Sequence, residues 1–589
     1  MALLSFLTIL AFAAICWADV LENIADLKKL NLKPFDFIVV GGGTAGCVIA
    51  NRLSENPDYS VLVLEAGGHA DSLNLIVPFY GLKSVPDTLQ DWNYTTTPQV
   101  NLNDRSLAYP RGFVLGGSSS VNDMVYTRGS KEDFDRYANL TGDAGWSWDN
   151  LIPYMRKNER FSPPADNHNT TGQFNPAVHG FDGMNTISLA GYPTPVDPLV
   201  IQTTNEVPEF SFNLDMNSGY QLGLGWVQAT IKNGSRSSSA TSYLALSFID
   251  RPNLHILLHA RATRVIKHGS NIFRTVEFVQ DLEGKRFTLT ATKEIILSGG
   301  SIGTPTILMH SGIGDSSILA ASGIEPLHHL PSVGANLTDH TVIGLSWLVN
   351  STNTWETAAR NTTLMEEEFE QWNTTRTGPL VDTVLSHIAW LRIADNSTIF
   401  RRFPDPAAGP NSAHFELLVS NGFVGSIPLT GNYMSITAVV VSPLSRGFVT
   451  LNSSNLLDAP LINPNFLAAD LDVLILREAV RSAFRFVTAP AFQDYIISPV
   501  TVDSNITDAD LETYIRNNAG PGYHPVGTAS MSPKGASHGV VDPDLLVKGL
   551  VGLRIVDISV ACFIPTAHTL ATTYFIAERA ADLIKEAWN

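Results

Sequence analysis

Residues 35 to 68 read FDFIVVGGGTAGCVIANRLSENPDYSVLVLEAGG, and the order of residue types in this stretch decides the fold. Phe37 to Val40 is a short apolar run without alternation, the pattern of a parallel strand buried on both faces. Gly41, Gly43 and Gly46 follow at once in GxGxxG spacing. Cys47, Val48, Ala50 and Leu53 continue at helical intervals, Pro57 and Asp58 mark a turn, and Val61 to Leu64 is a second buried strand ending at Glu65. The first glycine permits the tight turn, the second lets a pyrophosphate approach the backbone, and the third lets helix and strand pack closely. The helix N-terminus then faces the phosphate charge. Glu65, nineteen residues after Gly46, can accept from a ribose hydroxyl. The stretch predicts a dinucleotide site without separating FAD from NAD.

The rest of the chain sets limits on what such a site serves. The 589 residues are 44% hydrophobic and 16% charged, enough for a large core and too apolar for disorder. A net charge of −18 repels phosphate backbones, so nucleic acid is not an expected partner. Residues 1–18, MALLSFLTILAFAAICWA, form a short apolar run ending on a small residue, the pattern of a secretory signal peptide. No later run is long enough for a membrane span. Sequons at Asn93, Asn139, Asn169, Asn233, Asn336, Asn350, Asn361, Asn373, Asn396, Asn452 and Asn505 agree with a secreted, extracellular glycoprotein. Cys47 and Cys562, left after Cys16 departs with the leader, make no disulfide framework, and no cluster has metal-ligand spacing.

Residues 109–129, YPRGFVLGGSSSVNDMVYTRG, suit a loop passing close to a flat ligand, with Asn122 reaching its edge. Residues 299–314, GGSIGTPTILMHSGIG, read as a strand end entering a helix, and 333–340 read VGANLTDH. With the 35–68 unit, these stretches resemble the signatures of the glucose–methanol–choline (GMC) oxidoreductases. The likeness runs from FDFIVVGGGTAG to AERAADLIK. It is similar in particular to fungal aryl-alcohol oxidases in DWNYTTTPQ (91–99), ADNHNTTGQFNPAVHG (165–180), TRTGPL (375–380), FPDPAAGPNSAH (403–414) and HPVGTASMSPKGASHGVVDPDL (524–545).

The resemblance implies an α/β FAD-binding GMC fold, a Rossmann-like FAD domain with an inserted α+β substrate domain. The N-terminal GMC region is expected over 35–345, a substrate-domain segment over 346–439 and the C-terminal region over 440–582. The FAD domain is then discontinuous, about 35–90, 230–345 and 540–589. The runs 217–231 and 432–452 read as strands and 471–487 as an amphipathic helix. The resemblance assigns FAD to Gly41, Gly43, Thr44, Ala45, Gly46, Glu65, Ala66, Gly116, Gly117, Ser118, Asn122, Val265, Asp557 and Thr569. Asn122 stands where some relatives carry a linking His, so the FAD is expected to be non-covalent.

GYHPVG (522–527) and PTAHT (565–569) each carry a histidine near the C-terminus. By themselves they read as two loop histidines held by their neighbours. The resemblance makes them one catalytic pair, with His524 as general base and His568 holding the substrate oxygen. Neutral imidazole suits removal of an alcohol proton near neutral pH. His340, His414 and His538 read as structural or peripheral. Tyr523, Phe423 and Asp123 are candidate pocket walls, with Asp123 replacing an aromatic residue of the close relatives. Further departures from the family pattern are Phe113 for a basic residue, Ile558 for Gly or Ala, Cys562 for Pro, Leu570 for Gln or Asn and Thr572 for Pro. A β-branched residue at 558 is strained if that site needs positive φ.

The expected protein is a secreted monomeric oxidase that converts aryl or other primary alcohols to aldehydes, with O2 reduced to hydrogen peroxide. The alternatives are a dehydrogenase passing electrons to quinones and a flavin-binding relative with impaired catalysis.

Overall fold

A computed structural model describes residues 20–30, 32–281 and 284–588. The leader read at 1–18 lies outside these residues.

The nucleotide-binding half is a parallel sheet of six strands. Their order is Val20–Leu21, Leu254–Leu257, Val61–Leu64, Phe37–Val40, Glu294–Leu297 and Leu553–Ile555. Every residue of the five inner and far strands is buried, which is why these segments read as continuous apolar runs. The edge strand Val20–Leu21 is too short to carry a sequence signal. It puts the first described residues on the edge of the sheet, ahead of where the family pattern begins.

The helix Thr44–Leu53 packs against the C-terminal helix Thr569–Trp588. A buried ion pair fixes this contact: Arg52 donates to both carboxylate oxygens of Glu578 at 2.9 and 2.8 Å, and Tyr243 Oη donates to Glu578 at 2.6 Å. The residues just before the C-terminal helix are thereby held over the nucleotide-binding half. Between Leu257 and Glu294 the chain makes a three-stranded antiparallel sheet, Arg261–His268, Ile272–Val279 and Arg286–Thr290.

The second half is an antiparallel sheet. Its path runs Ile496–Pro499, Thr341–Val349, Tyr433–Val440, Phe415–Ser420, Leu385–Leu391 and Gly223–Trp226, and Gly520–Pro521 also pairs with Thr341–Val349. The helix Asp470–Val487 lies against it and buries Leu471, Ile475, Leu476, Ala479, Val480 and Ala483 at helical spacing. Buried Asp472 accepts from the amides of Leu444 and Ser445 at 2.8 and 2.9 Å and ties the helix start to the sheet. The strands read at 217–231 and 432–452 and the helix at 471–487 are present as Gly223–Trp226, Tyr433–Val440 with Gly447–Thr450, and Asp470–Val487.

Candidate active site

The glycine turn separates packing from binding. A Cβ at Gly46 would lie 1.9 Å from the Gly41 carbonyl oxygen, and Gly41, at φ +101°, would press one against Ser298 at 2.5 Å. Both positions need glycine for the chain's own sake. Gly43 does not: a Cβ there meets no atom nearer than 3.8 Å, and its φ of −83° suits any residue. The space beside Gly43 is therefore room for something other than protein. Gly43 caps the Thr44–Leu53 helix without a side-chain bond, so the helix N-terminus, with Thr44 and Ala45, keeps amides for an anion.

Glu65 closes the turn from the next strand. Its carboxylate accepts from the amides of Gly42 and Gly67, each at 2.7 Å, and burial pushes it up to about 7. Ala66 follows it, half-buried. The serine loop lies on the same turn: the Gly116 amide donates to the Gly42 carbonyl at 2.7 Å, and Gly116 and Gly117 have φ of +88° and +53°. Ser118 Oγ accepts from the Gly112 amide at 3.3 Å. Behind the loop, buried Arg236 donates to the carbonyl and side-chain oxygens of Asn122 at 2.6 and 2.8 Å, and so fixes Asn122. Asp557 accepts from Gly300 N, Thr304 Oγ1 and Ser559 N at 3.0, 2.6 and 2.8 Å. It thus joins the last parallel strand to the helix Gly300–His310. Thr569 opens the C-terminal helix. Val265 sits apart in the small antiparallel sheet, with its side chain buried and its amide donated to Ser311 Oγ at 2.8 Å.

The histidine pair is brought together by two chain crossings. Gly520–Pro521 pairs with Thr341–Val342, and the C-terminal helix carries the 565–569 loop to the same place. The His524 and His568 rings lie edge to face, with centroids 4.7 Å apart. Each has a supporting residue. His524 Nδ1 is 3.0 Å from His340 Nδ1. His568 Nε2 is 3.3 Å from Glu416 Oε1, an electrostatic contact outside hydrogen-bond alignment. The backbone is held as firmly. The His524 amide donates to Asp339 Oδ1 at 2.7 Å, Tyr109 donates to the other oxygen at 2.7 Å, and the His568 amide donates to Thr127 at 2.8 Å.

Burial, the neighbouring His568 and His340, and the Arg111 charge hold His524 well below the usual imidazole range. His340 is pushed down to about 3 by burial and by His568. The His524 imidazole is therefore neutral at neutral pH. Burial raises Asp339 to about 6. Tyr523 precedes the base in a left-handed conformation, φ +62°, and is 44% exposed. Backbone strain of this kind persists where surrounding structure enforces it, often at functional sites.

Of the two roles read for His340, structural or peripheral, its place is a structural one: it is completely buried and touches His524. His414 is structural, bonded to the Ile393 amide and Asp405 at 3.0 and 2.8 Å, and His538 is exposed. Asp123 interacts with both His568 and Arg236, and burial raises its carboxyl. Among the described residues Phe423 has its ring edge-on to Tyr433 at 5.2 Å and its amide donating to Glu356. Glu416 was missed, although a single acid inside FELLVS was the available signal. Ile558 carries no strain, since it begins a short 3-10 turn without positive φ. Phe113 packs edge-on against Trp92 at 4.7 Å, and the nearby cation is Arg261, 5.2 Å over the Trp92 ring.

Two family models described as GMC oxidoreductase match residues 35–342 and 443–577. The chain belongs to the GMC oxidoreductase family. This GMC oxidoreductase is 42% identical to a dehydrogenase, eriK, of Hericium erinaceus, over 95% of this chain and 96% of that one. It is 41% identical to a pyranose dehydrogenase of Agaricus campestris, over 94% of both. Among solved structures it is similar to formate oxidase from Aspergillus oryzae, with a TM-score of 0.87 and 30% identity over 94% of this chain and 98% of that chain. It is also similar to a fungal aryl-alcohol oxidase, with a TM-score of 0.84 and 26% identity over 95% and 100%.

The cofactor of this fold is FAD. The room at Gly43, the uncapped helix start and the Gly116–Ser118 loop fit it, and Glu65 would be the acid available to its ribose. When bound, FAD supplies the two-electron chemistry that accepts a hydride from carbon. The chain's own part is to orient a CH–OH group and take its proton.

Proposed function

We propose that this GMC oxidoreductase oxidises an alcohol to a carbonyl compound, with His524 removing the hydroxyl proton and His568 holding the substrate oxygen. The observation that carries this reading is the pair itself: two edge-to-face imidazoles, each tied through one ring nitrogen to a buried support, with His524 kept neutral. Asp123 beside His568 favours a substrate with further hydroxyl groups over an unsubstituted benzylic alcohol. The names of the relatives at 41–42% identity support an organic electron acceptor such as a quinone.

A second reading is an aryl-alcohol oxidase that uses O2. It is supported by the exposed Tyr523 face next to the base, which offers stacking to an aromatic ring.

One experiment separates these readings. The FAD-loaded protein is mixed anaerobically with D-glucose or with anisyl alcohol, and then with air or with benzoquinone. Bleaching by the sugar and reoxidation by quinone alone support the first reading. Bleaching by anisyl alcohol with peroxide on aeration supports the second. Flavin that stays oxidised with every alcohol would overturn both.

We also propose a secreted, N-glycosylated monomer. The support is the apolar leader at 1–18 and the placement of the sequons: ten of the eleven asparagines are exposed, while Asn336 is half-buried. Among the described residues no helix is long and apolar enough to cross a membrane. Release of the flavin on denaturation tests the absence of a covalent link, expected because Asn122 stands where some relatives carry a linking His.

A further inference from the structure

His340 ends the VGANLTDH segment and directly precedes the strand Thr341–Val349. Its position is set by the backbone. Thr341 pairs with Pro521 and Val342 with Gly520, and the Gly522 amide donates to the His340 carbonyl at 2.7 Å. Two residues later the chain delivers His524, so the two rings stand at 88° with their Nδ1 atoms 3.0 Å apart.

Two imidazole nitrogens at this distance share a single proton, so one donates and the other accepts. The rest of the His340 environment decides which. The side chain is buried, and its Nε2 has no partner in full hydrogen-bond geometry. The backbones of Val441 and Pro565 act on the ring so as to favour a proton on it. A backbone carbonyl can only accept, so a lone pair turned toward one would be repelled. With Nδ1 turned to His524, Nε2 is the nitrogen left to carry the proton toward these acceptors, and Nδ1 accepts. His524 must then donate from Nδ1, which leaves its lone pair on Nε2.

No other group around His524 offers this acceptor. Asp339 takes the backbone amide of His524 and is held by Tyr109. Arg111 acts on the ring as a positive neighbour, Tyr523 turns its carbonyl to Arg111, and His568 itself faces Glu416 and Asp123.

We propose that His340 is a positioning residue that locks His524 in the Nδ1–H tautomer, so that Nε2 presents its lone pair to the substrate hydroxyl. His340 gains and loses no proton in the reaction; the alcohol proton goes to Nε2 of His524. The inference rests on the reading of His524 as the base.

The test uses FAD-loaded protein with isotope-labelled histidine. Two-bond nitrogen–proton spectra report the tautomer of each ring, and His524 is assigned by its loss in His524→Asn. The wild type should show His524 as Nδ1–H. His340→Leu should lose this fixed tautomer. His340→Asn, whose amide oxygen can accept from the same N–H, should keep it.

With anisyl alcohol or D-glucose, His340→Leu should lower kcat about 10²-fold and KM should move less than about threefold. The asparagine variant should recover to within about tenfold of wild type. An Nε2–H tautomer in the wild type, or an unchanged tautomer in His340→Leu, would overturn the inference. If the leucine variant does not fold, the wild-type tautomer still decides. Full activity in His524→Ala would instead sink the base assignment, whatever the tautomer shows.

Discussion

Glu416 and His568 meet at 3.3 Å, carboxylate oxygen to Nε2, in the interior of the antiparallel sheet. Glu416 lies in register with Trp390 on one side and Val439 on the other, and Trp390 stands edge-on to His568. Neither carboxylate oxygen has another polar partner among the described residues. A lone buried carboxylate costs several kcal/mol, so the acid is retained for what it does to His568. It orients that ring from behind and leaves Nδ1 on the other side.

Glu416→Gln should therefore slow turnover while leaving FAD bound. An electrostatic contact short of full hydrogen-bond alignment is worth about 1.5 kcal/mol or less, which corresponds to roughly tenfold in rate. Stopped-flow flavin reduction measures it, and an unchanged rate would remove Glu416 from the site.

Replacing the base has a larger effect. His524→Ala should reduce the rate of flavin reduction by about 10²–10⁴-fold, the usual contribution of a general base. The visible spectrum of the variant should still show bound flavin, because His524 is not among the residues read as holding it.

The glycines should separate fold from cofactor. Gly46→Ala forces a Cβ against the Gly41 carbonyl and should destabilise the protein by about 1–3 kcal/mol or more. Gly43→Ala meets no protein atom nearer than 3.8 Å and should leave the melting temperature of the apoprotein unchanged while weakening FAD binding. Thermal melts and flavin titration together check both. A Gly43→Ala protein with unaltered FAD affinity would remove that turn from the cofactor site.

Acid should weaken the fold through the same histidines. His340, pushed down to about 3, and His524, also pushed down, bind fewer protons folded than unfolded. Their contribution is complete above the unfolded value, near about 6.5. It is lost as the pH falls from there toward the folded values. For His340 this is on the order of 3 kcal/mol at pH about 4. Glu65, raised to about 7, and Asp339, raised to about 6, have the opposite sign, and their contribution is lost as the pH rises through those values. The melting temperature of holo His340→Asn should accordingly fall less steeply than that of the wild type between about pH 6.5 and 4. Equal slopes would contradict a neutral, buried His340.

The fold was legible where local pattern and tertiary role coincide. The FIVV and VLVL strands and the 470–487 helix are read from periodicity because each buries the face that its sequence makes apolar. Val20–Leu21 was not legible, because two residues carry no period and join the sheet only through Leu254–Leu257. The supports of the active site escaped for a similar reason. Glu416 is adjacent in sequence to nothing it serves, and His340 lies 184 positions from the ring it contacts.

By itself, the sequence determined the dinucleotide turn, the buried strands beside it and, through the family pattern, FAD and the two C-terminal histidines. These depend on residues within one short segment, where sterics and hydrophobic spacing act directly. Only the tertiary structure decided which groups stand behind His524 and His568, that Ile558 is unstrained, that Phe423 packs on Tyr433 and that a side chain at Gly43 would meet no steric clash. These depend on where distant strands and the C-terminal helix cross, and hydrogen-bond partners and burial exist only after those crossings are made.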